Sequence, residues 1–236
     1  MHDPSTSAVL VALAVTLAAG LATALGSLLV IFAKGPNPRL LAFGLAFAGG
    51  AMVYVSLTEI FAKSVASFTL AYDARLGFAL ATFAFLAGLL LVMAIDMLVP
   101  NPHDTLTTDD PSLREHNREY IRRVGLLTAV AITVHNFPEG LATFFATLGN
   151  PAVGLPLAFA IAIHNIPEGI AIAVPVYYAT HNKAWSFGAS LLSGLAEPLG
   201  AIIGFTLLSR YLNDAVFGAV FGIIAGIMVF LAIDEL

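Results

Sequence analysis

Two stretches of six residues bring together side chains that hold metal ions: His135-Asn136-Phe137-Pro138-Glu139-Gly140 and His164-Asn165-Ile166-Pro167-Glu168-Gly169. On a helix, residues four apart share a face, so His135 and Glu139 point one way, as do His164 and Glu168. Asn136 and Asn165 lie about 100° further round and extend that face. Imidazole nitrogen with carboxylate oxygen suits zinc, iron, manganese, cobalt or cadmium, and amide oxygens keep the set intermediate in hardness. Asn is also a common hydrogen-bonding link between membrane helices, so the two asparagines are either ligands or links.

Each motif also carries a proline. Pro138 cannot donate to the carbonyl of Val134, nor Pro167 to that of Ile163, and each ring crowds the turn before it. A helix in lipid accommodates a freed carbonyl only in the protein interior or at a water-lined cavity. Gly140 and Gly169 then permit close helix approach. The midpoint between the motifs falls near Pro151, so two antiparallel helices joined there set His135, Glu139, His164 and Glu168 at similar depth. A third carboxylate, Glu197, stands in Ser193-Gly194-Leu195-Ala196-Glu197-Pro198-Leu199-Gly200. A carboxylate this deep in an apolar segment calls for a cation or proton partner. Glu139, Glu168 and Glu197 together could hold two metal ions side by side.

Other chemistry-bearing residues have plainer explanations. Met52 has a thioether that can bind metal, but core packing is its ordinary use. Glu59, Asp96, Asp234 and Glu235 fall at the ends of apolar runs, where solvated carboxylates are common. His103 and His116 belong to a polar loop that could capture metal weakly.

The elements that must position these groups are membrane spans. Of the 236 residues, 59% are hydrophobic and 11% charged, far below the quarter charged that soluble domains carry. The apolar residues form runs long enough to cross a bilayer, which takes about 20 residues of helix. The pattern predicts a single all-α, polytopic transmembrane domain over residues 1–236 with seven spans. They cover Ala8–Ala33, Leu40–Phe61, Leu76–Val99, Val124–Leu148, Ala152–Ala179, Ala184–Leu208 and Ala215 to the end. Pro100–Arg123 is the substantial polar loop.

Alternating the loops puts Lys34, Arg39, Arg114, Arg118, Arg122, Arg123 and Lys183 on one side and Lys63, Arg75 and Arg210 on the other. The positive-inside rule then makes the 100–123 loop cytoplasmic and the N-terminus external. Met1-His2-Asp3-Pro4 lacks the basic start of a signal peptide, so the first run reads as a retained span.

Net charge is −5, with no basic tail, which argues against nucleic acid as a partner. Cysteine is absent, which removes disulfides, thiolate zinc sites and cysteine nucleophiles. A short echo links Gly50-Ala51-Met52-Val53-Tyr54 to Gly226-Ile227-Met228-Val229-Phe230, each followed five residues later by Glu59 or Glu235. Spans two and seven are therefore candidates for matching elements of two repeat units. On that reading span three has no counterpart, and a final span is expected beyond Leu236.

The doubled HNFPEG/HNIPEG motif, with SGLAEPLG and the GIMV–DEL pattern, resembles the ZIP family of zinc/iron permeases, most like its bacterial ZupT-like branch. The likeness covers nearly the whole chain. It implies eight helices in a 3+2+3 arrangement, two inverted three-helix units around the span four/five pair. It implies a binuclear site in the path, uptake of zinc and other divalent metals across the inner membrane, no prosthetic cofactor, and a homodimer in the lipid bilayer. By matching position, His135, Glu139, His164 and Glu168 would form one metal position. Asn136, Asn165, Glu168 and Glu197 would form a second, with Glu168, and also Glu139 in one arrangement, bridging. The chain departs from the family in the eighth span and in a loop with only His103 and His116 in place of a His-rich run.

Two other classes are compatible with metal ligands in a membrane. An intramembrane hydrolase could activate water on zinc, although H-E-x-x-H is absent and proline occupies each turn between His and Glu. A metal sensor would bind without translocating and would use the 100–123 loop. No G-x-x-x-x-G-K-[ST] loop is present, so transport powered by this chain's own ATP hydrolysis is not expected.

Overall fold

A computed structural model of the chain describes residues 4–32, 38–97, 114–211 and 213–234; within them, the side chains of 38–41, 44–45, 95–96, 114–129, 131, 135, 175, 178–179 and 234 lie outside the description. The described residues are helical apart from short turns and caps, and none is in a strand. In chain order the helices are α1 (Thr6–Phe32), α2 (Pro38–Val55), α3 (Phe61–Ala71), α4 (Ala74–Asp96), α5 (Arg114–Gly149), α6 (Pro151–Thr180), α7 (Lys183–Gly194), α8 (Ala196–Leu208) and α9 (Asp214–Asp234). Six stretches among the described residues are long and apolar enough to cross a membrane, and α5 is a seventh long helix. Large apolar side chains such as Leu10, Phe83, Leu90, Phe159 and Leu207 are exposed along these helices. Water would not tolerate that much contiguous apolar surface, whereas lipid does.

Three boundaries differ from the sequence expectation. The second span, expected to stop at Phe61, runs on to Ala71, because α2 passes through a π-helical turn (Ser56–Ile60) straight into α3. Ser56 and Thr58 bond back to the carbonyls of Met52 and Tyr54 at 2.6 and 2.7 Å, and such back-bonding loosens a helix locally. Glu59 therefore lies mid-helix, not at a span end, with Lys63 one turn on. The true end is at Asp73, whose carboxylate accepts from the backbone N–H groups of Arg75 and Leu76 and starts α4. The sixth span is split at Leu195 into α7 and α8. Pro198 has no N–H for the carbonyl of Gly194, and the helix breaks at that turn. Finally, the expected 100–123 loop is helical from Arg114 on, and its earlier part lies outside the described residues.

The helices sort into two packed groups. In one, α1 lies along α6 and α7 and also touches α5 and α8, while α5 packs on α6 and α8. In the other, α9 packs on α4, α3 and the π turn. α2 touches α6 and α9, and α5 also meets α9. The connection between α5 and α6 is as short as expected: Asn150 caps α6 by accepting from Ala152 N–H at 3.0 Å, and Pro151 opens the helix. At the far end of α6, His181 adopts a left-handed conformation (φ 52°), and Asn182 caps α7. Lys183 then donates to the carbonyl of Ile31 at 2.9 Å, tying the start of α7 to the end of α1.

Candidate metal centre

The first group of helices encloses the polar residues singled out above. Glu139 enters from α5, and His164 and Glu168 from one face of α6. Each offers a ligand atom within 4.8 Å of the other two, and all three are buried. His164 Nε2 lies 2.9 Å from Glu139 Oε1. Glu197, in the first turn of α8 just past the Pro198-induced break, is also fully buried. Among the described residues no lysine or arginine is buried. A carboxylate this deep in an apolar segment calls for a cation or proton partner.

Both asparagines are buried, and their hydrogen bonds fix which way each amide faces. Asn165 Nδ2 donates to the carbonyl of Ala19 on α1 at 3.0 Å and to Glu197 Oε1 at 2.5 Å. Asn136 Nδ2 donates to the carbonyl and hydroxyl oxygens of Ser193 on α7, each at 3.2 Å. Backbone carbonyls and carboxylates accept only, so the amide nitrogens are pinned to them. Asn136 Oδ1, Asn165 Oδ1 and Glu197 Oε2 are then left buried with no hydrogen-bond partner among the described residues. An orphaned buried acceptor is costly, and a bound cation removes that cost.

Glycines let the backbones approach closely enough for this. A Cβ at Gly140 would overlap the backbone of Glu197, and one at Gly200 would overlap the carbonyl of Phe137, so α5 and α8 cross in reciprocal contact. Gly20 and Gly194 do the same for α1 and α7, and Gly169 sits against the carbonyl of Thr23. The Gly of each HN-x-PEG motif is thus the residue that lets a neighbouring helix close over the adjacent glutamate.

Asn136, Glu139, His164, Asn165, Glu168 and Glu197 therefore gather in one buried region. His135 stands on α5 one turn before Glu139, and its side chain lies outside the described residues. Met52 is buried. Sequence reasoning missed α1 and α7. α1 carries the carbonyl that orients Asn165, and α7 carries Ser193, which orients Asn136. The available signals were small residues at helical spacing, Ala12, Thr16, Ala19, Gly20, Thr23 and Ser27 on α1 and Ser186, Ser190, Ser193 and Gly194 on α7, all buried.

Comparison with known proteins bears on what such an arrangement does. A family model described as ZIP zinc transporter matches residues 101–236. The chain is similar to the zinc transporter ZupT of Xanthomonas campestris pv. campestris, 75% identical over 236 residues, covering all of this chain and 87% of that one. It is similar to the protein of the same name from Xanthomonas axonopodis pv. citri, 74% identical across 96% of this chain and 83% of the other. The ZupT of Neisseria meningitidis serogroup B is 65% identical, covering all of this chain and 88% of its own.

Proposed function

We propose, starting from the fact that this chain belongs to the ZIP zinc transporter family, that zinc passes through the buried α5–α6–α8 cluster on its way into the cell. As a member of that family the chain is a multi-pass membrane transporter of divalent metal ions and not an enzyme, which sets aside the intramembrane hydrolase. The observation that carries the site reading is the convergence of buried carboxylates, an imidazole and orphaned amide oxygens in a region with no buried lysine or arginine among the described residues. A divalent cation gives Asn136 Oδ1, Asn165 Oδ1 and Glu197 Oε2 the partner they lack among the described residues.

We assign these donors to two positions, as the family resemblance implies. Glu139, His164 and Glu168, with His135 on the same face of α5, form one. Asn136 Oδ1, Asn165 Oδ1, Glu168 and Glu197 form the second, with Glu168 shared. Nitrogen and oxygen donors of this kind also accept iron, manganese, cobalt and cadmium, so these ions compete with zinc. Release requires the ligands to part or to be protonated, and a site assembled from several helices can do the first by small relative movements of those helices. The protein works in the bacterial inner membrane as a homodimer, with residues 100–123 on the cytoplasmic side, where the excess of basic residues lies.

Reconstituted vesicles test this. Glu168→Ala is expected to lower zinc uptake by more than about a hundredfold, beyond the ten- to hundredfold seen when an outer-shell group is lost, while the protein still inserts. Zinc flux at the wild-type rate in that variant would remove the site assignment.

A further inference from the structure

α5 carries one more oxygen on the metal-facing side. Asn136, Glu139, Thr143 and Thr147 follow at spacings of three and four, so they line one face, and all are buried. Buried hydroxyls in membrane helices normally bond to a carbonyl three or four residues back. Thr16 does so to Ala12 at 2.9 Å, Ser27 to Ala24 at 2.7 Å and Thr147 to Thr143 at 2.8 Å. Thr23 and Thr143 do not, and their hydroxyls have no hydrogen-bond partner among the described residues. For Thr23 the reason is local: the carbonyl four residues back, of Ala19, already accepts from Asn165. Thr143 stands on the same face of α5 as Glu139, four residues or about 6 Å of helix rise further on.

A buried hydroxyl without a partner costs stability that a valine of the same shape would not. Beyond Thr143, toward Asn150, the surroundings turn apolar: Phe144, Phe145, Leu157 and Ile161 are all buried. We propose that the Thr143 hydroxyl is a further oxygen ligand for the transported cation, a coordination step between Glu139 and the Asn150 end of the path. The inference rests on the reading of Glu139, His164 and Glu168 as the metal site. As a neutral, hard donor, the hydroxyl supports manganese and zinc more than cadmium.

The test is uptake of zinc, manganese and cadmium, each at sub-saturating concentration, into vesicles containing wild type, Thr143→Val, Thr143→Ser, Thr147→Val or Glu168→Ala. Thr143→Val is expected to lose about tenfold in manganese uptake and less in cadmium uptake, a loss on the scale of removing one supporting ligand. Thr143→Ser and Thr147→Val keep wild-type uptake, and the metal-free melting temperature of Thr143→Val is unchanged or higher. Wild-type uptake of all three metals by Thr143→Val, with Glu168→Ala inactive, overturns the threonine proposal and leaves the metal site standing. Flux through Glu168→Ala overturns the site reading itself. Should the valine variant fail to insert, Thr143→Ala replaces it: uptake kept by serine and lost by alanine supports the ligand, and equal uptake by both overturns it.

Discussion

The α1/α5–α8 group and the α3/α4/α9 group are built with the same packing device and filled with opposite chemistry. In both, glycine lets one helix backbone rest on another: Gly140 against Glu197 in the first, and Gly226 against Phe85 and Gly88 against Ile223 in the second. In the second group Ser64, also buried, has a partner: it donates to the carbonyl of Gly218 at 2.6 Å, and Phe68, Phe221 and Ile224 on the same helices are buried. In the first, oxygens of Asn136, Asn165, Glu197 and Thr143 are buried and lack hydrogen-bond partners among the described residues. Close approach alone therefore goes with a stable helix pair, whereas close approach around orphaned acceptors is what the proposed metal site requires.

The largest expected effect separates the two groups at their glycines. Gly140→Ala pushes on the Glu197 backbone and is expected to lower zinc affinity by more than about tenfold in protein that still folds. Gly226→Ala overlaps the Phe85 carbonyl equally, yet is expected to lower the melting temperature while leaving zinc affinity unchanged. Isothermal titration on purified, detergent-solubilised protein reads both, and equal affinity losses would erase the distinction.

A smaller effect is expected at Glu197. Replacing it with Gln keeps the acceptor for Asn165 but removes the carboxylate that a cation would bind. Uptake should fall by about tenfold while the metal-free melting temperature holds, since the shape and the hydrogen bond are kept. A variant that loses both uptake and stability would mean that Glu197 is structural. Least affected is Ser64→Ala. It should cost about 1 kcal/mol of stability, the usual worth of a hydrogen bond, with the KM for zinc unchanged. A raised KM would connect the second group to the site.

Much of this arrangement was legible in the chain. The i, i+4 spacing of His and Glu, the proline between them and the midpoint at Pro151 together foretell that Glu139, His164 and Glu168 meet, because helix periodicity and antiparallel pairing leave little freedom. Glu197 was legible for a different reason: a carboxylate beside proline in an apolar run has no ordinary use. The orienting partners were not legible. Ser193 and the carbonyl of Ala19 act through contacts 57 and 146 residues away in sequence, and nothing local distinguishes them from packing serines and alanines. The second span was misjudged at Glu59 and Lys63 because charges were taken as span ends, whereas a π turn carries the helix past them.

Whether His164 binds the transported ion is read most directly from the X-ray absorption spectrum of zinc bound to the purified protein, compared with His164→Ala. Only nitrogen and oxygen neighbours at about 2.0–2.1 Å are expected, with outer-shell imidazole scattering that weakens in the variant. An identical spectrum in His164→Ala, or a zinc shell without imidazole in the wild type, would contradict His164 as a ligand.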